Sequence, residues 1–248
     1  MVVVSALGVA SCKDDAPAPR RVAPPPLPTA SAPAPDARVK RFEIEPAGVA
    51  SFLIDAPLEK IKGRSTRYRG SLTLDPKDLA STRGQIDLDL GELKTETFDD
   101  AGKNAKQTEH ARNWLGLGGD VEEKARAEHR WARFTITAVS SVSAARIEDA
   151  AEVSGRREVK VTAAGDLWVH GVSAPKTVKL SISFEGPVDA PSRVHITTAE
   201  PLVVSLKQHD IKPRDLAGRF LEGALEQVGK KIDDRVQITL DVTAAARP

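Results

Sequence analysis

The histidines of the chain are the side chains most able to bind a metal ion or transfer a proton near neutral pH. They are His110, His129, His170, His195 and His209. Zinc motifs place ligands at short, recognisable spacings, and these histidines show no such spacing. We therefore expect no metal site, with His170 in a turn and His195 in a strand. The polar loop over 209–215 is predicted to be salt-bridged, or else to orient the head group of a ligand.

Two carboxylates, Asp87 and Asp89, are the next candidates for acid–base chemistry, because a strand would place them on one face. The pattern over 84–93 is that of a strand with Ile86, Leu88 and Leu90 on its apolar face. We expect both aspartates to be solvated and to form no catalytic pair. The sequence also has no GxSxG elbow, no P-loop and no dinucleotide-binding glycine spacing. These observations predict a protein that is not an enzyme.

The single cysteine, Cys12, excludes an intrachain disulfide and a cysteine-based zinc site. The apolar run over 2–10 ends in Val9-Ala10-Ser11-Cys12, which resembles a bacterial lipoprotein signal. We therefore predict a signal peptide over 1–11, a lipidated Cys12, and a membrane-anchored, periplasmic location in a bacterial cell envelope. The alternative is a plain secretory signal, or a tail in which the thiol is incidental.

Residues 12–37 are predicted to be a linker, because residues 16–35 contain eight of the 17 prolines. Such a segment favours an extended conformation and cannot bury a core. A tether between anchor and folded domain is the simpler interpretation, and a proline-rich ligand for a partner domain is the alternative. The net charge of +1, without runs of basic residues, argues against nucleic-acid binding. The sequence predicts no particular oligomeric state.

The stretch over 159–185 predicts an antiparallel hairpin, since apolar and polar residues alternate along both of its arms. Gly171 and Pro175 are expected to bracket the turn. Lys160, Thr162, Asp166, Trp168 and His170 are predicted to share the wet face of the first arm. The opposite face of the two arms is apolar and predicted to be internal.

Further strands are predicted on both sides of this hairpin. The segments 39–45 and 49–56 are expected to pair around a turn at 46–48, and separate strands are expected at 58–63 and 67–75. Later strands are expected at 131–143, at 193–206 with an interruption at Glu200-Pro201, and at 235–243. Helical patterns occupy 104–115 and 120–128, an amphipathic helix is expected over 216–228, and 147–156 is expected to be an exposed turn. Eight or more strands with little helix favour a barrel or a sandwich.

Two segments resemble the YceI-like family. Residues Gly165 to Val178 read GDLWVHGVSAPKTV, similar to the family hairpin G-[DN]-L-x-[LIV]-[HN]-G-[VI]-[TS]-x-P-V-x-L, and Tyr68 to Asp75 read YRGSLTLD, similar to F-x-G-x-L-x-L-D. The resemblance implies an all-β fold: an antiparallel, lipocalin-like barrel of about eight strands with one or two short helices, over residues 38–245. The helical region at 99–130 departs from the family pattern and is expected to contain an insertion.

The resemblance also implies a function, because members of this family hold a polyisoprenoid or a similar lipid inside the barrel. A bound isoprenoid lipid or quinone is therefore expected, with no other cofactor. The predicted lining of the cavity comprises Phe52, Phe134, Ile136, Leu167, Val169, Val178, Leu180, Ile182 and Phe184. The same residues could instead pack together as a dry core, in which case the barrel would serve as an interaction module of the envelope.

Overall fold

The computed structural model describes residues 38–55, 60–212 and 234–247. The predicted signal peptide, Cys12, the proline-rich linker, the helix predicted over 216–228 and the end of the polar loop at 213–215 lie outside these residues. No described helix is long and apolar enough to cross a membrane.

Strands dominate the described part of the chain. They are β1 (Lys40–Asp55), β2 (Lys60–Asp75), β3 (Asp78–Asp89), β4 (Lys94–Thr95), β5 (Trp131–Ser140), β6 (Ala151–Val153), β7 (Arg156–Val169), β8 (Val172–Glu185), β9 (Arg193–Thr198), β10 (Leu202–Ser205) and β11 (Arg235–Ala246). Short 3-10 turns occur at Leu90–Glu92, Ile147–Asp149 and Lys207–His209.

Eight of these strands form a closed antiparallel barrel in the order β1-β11-β9-β8-β7-β5-β3-β2, and pairing of β1 with β2 completes the circle. The remaining short strands extend this sheet, because β4 pairs with β2, β6 with β7 and β10 with β11. Closure removes the exposed edges of the sheet and leaves an interior that side chains fill or surround. The predicted antiparallel barrel is confirmed.

Two helices follow β4 and precede β5, as the sequence predicted. Helix α1 spans Ala101–Trp114 and α2 spans Glu123–His129. The first helix begins three residues earlier than predicted, because the carboxylate of Asp100 accepts a hydrogen bond from the Lys103 amide at 2.8 Å. Helix α1 lies near one end of the barrel, where Ala111 and Leu115 face the interior.

The turn between β7 and β8 is shorter than predicted. His170 and Gly171 form it, with φ angles of 52° and 77°, and Val169 pairs directly with Val172. Positive φ at both central residues is typical of a type I′ hairpin turn. Pro175 therefore lies within β8, opposite Asp166. Proline has no amide hydrogen to donate to a neighbouring strand. The described ladder between β8 and β9 covers only residues 180–185 of β8, so Pro175 lies outside that ladder.

The predicted break in the first strand is also wrong. β1 runs unbroken through Pro46 and Gly48, and the register irregularity at this position is a bulge. A Cβ atom on Gly48 would lie 2.8 Å from the carbonyl oxygen of Asp241, so the strands approach closely at this glycine. The two strands predicted over 58–75 are likewise one strand, β2, within the described residues. Long bulged strands suit a barrel, because bulges bend a sheet without ending it.

The barrel interior contains two hydrophobic clusters. One is centred on Phe42, Leu72, Val159 and Leu180, and the other on Ile54, Leu90, Val169 and Leu206. Leu88, Phe134 and Leu202 pack against both. Ile147 and Ala150 were predicted to lie in an exposed turn, but both are buried in the first cluster. The Ile147 amide donates to the Pro76 carbonyl at 2.9 Å and so holds this segment against the barrel.

Candidate ligand-binding site

An apolar cavity occupies the half of the barrel that faces α1. The centre of a water molecule could move through about 130 Å³ of this cavity. β1, β2, β3, β5, β7, β10 and β11 contribute to its wall, together with α1. Representative lining residues are Phe52, Ile54, Leu88, Leu90, Leu115, Ala132, Leu167, Val169, Val204 and Ile238. We refer to it below as the larger cavity.

Short side chains on two strands leave space in this half of the barrel. Ser65 on β2 and Ala132 on β5 both line the larger cavity. Gly63 on β2 is buried, and a Cβ atom there would lie 2.3 Å from Cζ of Phe52, so the Phe52 ring packs directly against this glycine. The Ser65 hydroxyl donates to the Asp89 carbonyl at 2.6 Å, so its hydrogen bond is made within the wall. The lining therefore offers apolar contacts and no free polar group at Ser65.

A smaller cavity lies in the other half of the barrel. About 30 Å³ is open to the centre of a water molecule there, which corresponds to little more than one water. Its wall includes Leu72, Ile86, Ile136, Val161, Ala163, Leu180, Ile182 and Phe184. The two cavities share no lining residue. The barrel is thus hollow at one end and nearly solid at the other.

The structure divides the predicted lining residues between these spaces. Phe52, Leu167 and Val169 line the larger cavity, whereas Ile136, Leu180, Ile182 and Phe184 line the smaller one. Val178 is buried in the first cluster, and Phe134 packs against both clusters. The sequence identified the inner face of the strands. It missed Ala111 of α1 and Leu115 at the C-terminal cap of that helix, which lie in a helical pattern, and Leu206 and Ile211 at and beyond the end of the strand predicted over 193–206.

Three histidines meet beside the larger cavity, although they are far apart in sequence. The rings of His129 and His170 lie 4.0 Å apart between centroids, and Nδ1 of His170 lies 3.3 Å from the His209 carbonyl oxygen. Nδ1 of His209 lies 3.2 Å from the Val172 carbonyl oxygen. These contacts connect the end of α2, the β7–β8 turn and the 3-10 turn after β10. They correct one prediction, since His170 is buried and not on a wet face. In the polar loop that begins at His209, Lys212 pairs with Asp210 at 3.2 Å, and His209 itself is buried.

The environment of His209 disfavours its charged form. Its side chain is fully buried, and burial lowers its pKa, with the positive charge of Lys176 acting in the same direction against hydrogen bonds to backbone carbonyls. Among the described residues, no three His, Cys, Asp or Glu side chains are arranged to hold a metal ion. The contacts of the three histidines join α2, the β7–β8 turn and the 3-10 turn at this end of the barrel.

A seam in the barrel wall lies next to the larger cavity. It is the stretch where the first half of β8 faces β10 and no backbone ladder is described between them. The described ladder between β8 and β9 covers residues 180–185, and β10 pairs with β11. Between the first half of β8 and β10, Lys176 crosses the gap and its Nζ donates to the Val203 carbonyl at 3.3 Å. Side-chain contacts of this kind open more readily than a backbone ladder. The seam is a candidate route into the larger cavity, whose wall includes Val204 of β10.

The outer face of β3 differs from the sequence prediction. Asp87 and Asp89 are fully buried, not solvated. Asp87 accepts hydrogen bonds from Arg69 on β2 and Arg133 on β5, and Asp89 is bound by Arg130 at 2.7 Å. The guanidinium of Arg69 also covers the ring of Trp131 at 3.7 Å. Ion pairs with arginines on adjacent strands explain how two carboxylates can be buried, and they leave neither carboxylate facing the cavity.

Trp168 shares this covered outer face. It was predicted to be exposed, but it is buried and lies opposite Arg133 in the ladder between β5 and β7. Its Nε1 atom has no hydrogen-bond partner among the described residues. A period-2 pattern assigns a residue to one face of a strand, and it does not reveal whether that face is covered.

One known structure shares this architecture, and two others are less similar. A polyisoprenoid-binding domain from Saccharophagus degradans, implicated in plant cell wall breakdown, is 14% identical, with a TM-score of 0.53 over 83% of this chain and 98% of the other. BcnA of Burkholderia cenocepacia is also 14% identical, with a TM-score of 0.49 over 79% of this chain and 95% of that protein. A YceI protein of Campylobacter jejuni is 10% identical, with a TM-score of 0.44 over 75% and 84% of the two chains.

The family of the chain is established by its sequence. No curated protein matches it significantly. The profile of the YceI-like domain matches residues 42–244, which span the barrel from β1 to β11 and include the region of α1 and α2. The chain therefore belongs to the YceI-like domain family.

Proposed function

We propose that this protein binds the apolar tail of an amphiphilic lipid, such as a polyisoprenoid or an isoprenoid quinone, and carries or sequesters it without chemical change. The observation that carries the proposal is the larger cavity, an apolar space inside a closed barrel. Each buried methylene contributes about 0.8 kcal/mol without requiring a polar partner. The name of the Saccharophagus degradans domain supports the same class of ligand.

The size of the larger cavity limits what it holds without rearrangement. An engineered protein cavity of about 150 Å³, lined by Leu, Ile and Phe, binds benzene, and the space here is about 130 Å³. One ring or the end of one branched tail would fill it. A longer tail requires side chains to move or the barrel to open, and at the seam the first half of β8 is joined to β10 by a side-chain hydrogen bond of Lys176, with no backbone ladder described there.

The ligand would enter tail first, so that its head remains outside the apolar lining. Lys176 lies at the seam, half-buried, and its Nζ is held by a backbone carbonyl oxygen that a ligand oxygen could replace. A head group with a phosphate, hydroxyl or carbonyl oxygen would suit this position. The barrel would shield the tail from water while the head remained accessible for transfer.

Extraction and mass spectrometry test this function directly. The full chain with Cys12→Ser, purified from its expression host, would be analysed in the native state and again after extraction with organic solvent. A stoichiometric apolar molecule is expected, and protein stripped of it should regain mass when farnesol or a short-chain ubiquinone is added. A protein that is empty as purified and takes up neither probe would contradict the proposal and favour an interaction module with a closed barrel.

A filled variant gives the matched control. Ala132 lies on β5 with its side chain toward the larger cavity. Leucine at this position would occupy the space without adding a polar group, so Ala132→Leu should remain folded and lose uptake. Equal uptake by this variant and the parent protein would place the ligand elsewhere than in the larger cavity.

We further propose that the chain is a periplasmic lipoprotein anchored in the membrane through Cys12. The sequence pattern over 9–12 and the proline-rich segment that follows support this location. Metabolic labelling with an alkyne fatty acid should mark the wild-type protein in a bacterial host and should not mark Cys12→Ser. Labelling of both proteins, or of neither, would contradict the anchor.

A further inference from the structure

Phe134 lies between the two cavities. On β5, Ala132 lines the larger cavity and Ile136 the smaller one, and Phe134 is the inward residue between them. On β7, Leu167 lines the larger cavity and Ala163 the smaller one. Neither cavity reaches Phe134, yet its ring packs against both hydrophobic clusters. The phenyl ring is therefore part of the partition inside the barrel.

On the neighbouring strand β7, the absence of a side chain at Gly165 leaves room for this ring. A Cβ atom on Gly165 would lie 3.1 Å from Cζ of Phe134 and 2.0 Å from the Thr135 carbonyl oxygen. Gly165 pairs with Ile136, and Leu167 pairs with Phe134, so the ring extends along the inner face of β7 toward the smaller cavity. Any side chain at position 165 would displace it. The far edge of the ring, which includes Cζ, is the part that reaches this glycine.

Leu88 on β3 and Leu202 on β10 also pack against both hydrophobic clusters, so they share the partition with Phe134. Ile86, which pairs with Phe134, lines the smaller cavity, whereas Leu88 lines the larger one and packs against both clusters. Leu88 has a branched aliphatic side chain, whereas the phenyl ring of Phe134 is larger, rigid and planar. Removal of the ring would therefore open the partition more than any change at Leu88 that keeps a similar volume.

We propose that Phe134 sets the length of the apolar tail that this barrel accepts, by confining the tail to the larger cavity. This inference rests on the proposed lipid-binding function. A tail that fills the larger cavity ends against the Phe134 ring, and further carbon atoms remain in water or at the seam. Without the ring, the smaller cavity becomes a continuation of the larger one, and the tail can extend toward Ala163 and Leu180.

The test is a series of prenols of increasing length, measured by calorimetric titration against the full chain with Cys12→Ser. Geraniol, farnesol, geranylgeraniol and a longer polyprenol differ by isoprene units and share one head group. Each further methylene that becomes buried should lower Kd about fourfold. In the parent protein Kd should stop falling once the larger cavity is full. In Phe134→Ala it should continue to fall over at least one more isoprene unit, a gain of about tenfold or more.

Phe52→Ala is the matched control. Phe52 lines the larger cavity, and loss of its ring enlarges that cavity without joining it to the smaller one. The proposal requires that Phe52→Ala keeps the parent's limiting tail length. If Phe52→Ala extends the limit as much as Phe134→Ala does, cavity volume and not the partition sets the length. That result would overturn the proposal.

Two further outcomes separate this inference from the proposed function. If the parent protein binds no prenol, the proposed function fails and the inference fails with it. If the parent binds prenols and Phe134→Ala shows the same limiting length, only the inference is wrong. Should Phe134→Ala fail to fold, as judged by circular dichroism and thermal unfolding, Phe134→Leu removes the far edge of the ring while retaining an aliphatic side chain. The limiting length of Phe134→Leu would then have to exceed that of the parent.

Discussion

Arg133 donates from Nε to Oδ1 of Asp87 at 2.8 Å, and both side chains are buried on the outer face of the barrel. A second bond joins Nη2 of Arg133 to Oδ2 of Asp87 at 3.0 Å, so the pair is bidentate across β3 and β5. Asp87→Asn would remove the carboxylate charge while the guanidinium of Arg133 remains buried. Such losses typically cost 3–5 kcal/mol. We therefore expect Asp87→Asn to lower the free energy of unfolding by about 3 kcal/mol or more, measured by denaturant titration.

An exposed ion pair provides the comparison for this measurement. Lys179 and Glu200 lie 3.0 Å apart, and more than half of each side chain is exposed. Exposed pairs contribute about 0–1 kcal/mol, so Glu200→Gln should change the free energy of unfolding by less than about 1 kcal/mol. If the two variants lose similar stability, the buried pair is not a principal support of the β3–β5 ladder.

The hollow half of the barrel predicts the effect of Ala132→Leu on stability. Adding methylenes to a well-packed core usually costs about 1–3 kcal/mol, but the larger cavity has room for this side chain. We expect the ligand-free variant to be at least as stable as the parent, with a midpoint of thermal unfolding that is equal or higher. A fall in the midpoint would mean that the lining is already filled.

Ala163→Leu is the matched substitution in the other half. Ala163 is buried and faces the smaller cavity of about 30 Å³. The additional carbon atoms exceed this space, so the variant should lose about 1–3 kcal/mol of stability from overpacking. A neutral effect at both positions would contradict the contrast between the hollow and the solid half.

Alternation of apolar and polar residues was enough to predict an antiparallel all-β fold and most of its inner face, and the family resemblance selected a barrel over a sandwich. It could not predict which surfaces are covered, because coverage depends on partners far away in the chain. Asp89 and Arg130 are 41 residues apart, and Asp87 and Arg133 are 46 apart. A single strand pattern carries no record of these partners, so the aspartates were interpreted as solvated.

The site was predictable only in outline for a related reason. The lining residues Phe52, Leu167 and Val169 follow from strand periodicity. The existence of the cavity depends instead on short side chains at Ser65 and Ala132, which lie on different strands. In sequence, a small residue on an inner face is equally consistent with a dry core in which a neighbour fills the space. Only the register of all eight strands decides between the two.

Tyr68 has an unpartnered hydroxyl that makes a further prediction possible. Its side chain is buried in the first hydrophobic cluster, and its hydroxyl oxygen has no hydrogen-bond partner among the described residues. Burial is the main reason that its pKa is raised, with the charge of Asp241 as a smaller contribution. Loss of an unsatisfied buried hydroxyl removes a desolvation cost of about 1–3 kcal/mol. Tyr68→Phe should therefore be as stable as the parent or more stable, as measured by denaturant unfolding.

A loss of more than about 1 kcal/mol in Tyr68→Phe would show that the hydroxyl makes a stabilising hydrogen bond in solution. Tyr68→Leu gives the control for loss of the ring itself. It removes the packing of the ring against Gly48, where a Cβ atom would lie 3.0 Å from the Tyr68 ring. This variant should be clearly less stable than Tyr68→Phe.

The stability of the protein should fall in mildly acidic solution because of His209. Its folded-state pKa is lowered by burial, whereas in the unfolded chain it titrates near the ordinary value of 6.5. Below about pH 6.5 the unfolded state therefore binds more protons than the folded state. The contribution of His209 to the free energy of unfolding is complete above pH 6.5 and is lost as the pH falls toward the lower, folded-state pKa.

Substitution of this histidine isolates its contribution. In His209→Asn, the side-chain amide can still donate to the Val172 carbonyl, which accepts from Nδ1 in the parent, and the side chain does not titrate. Free energies of unfolding would be measured from pH 8 to pH 5 for the parent, His209→Asn and His195→Asn. His195 is a partly exposed histidine paired with Asp241 and controls for loss of one imidazole. The decline with pH should be shallower in His209→Asn, and an unchanged decline in that variant would assign the acid sensitivity to other groups.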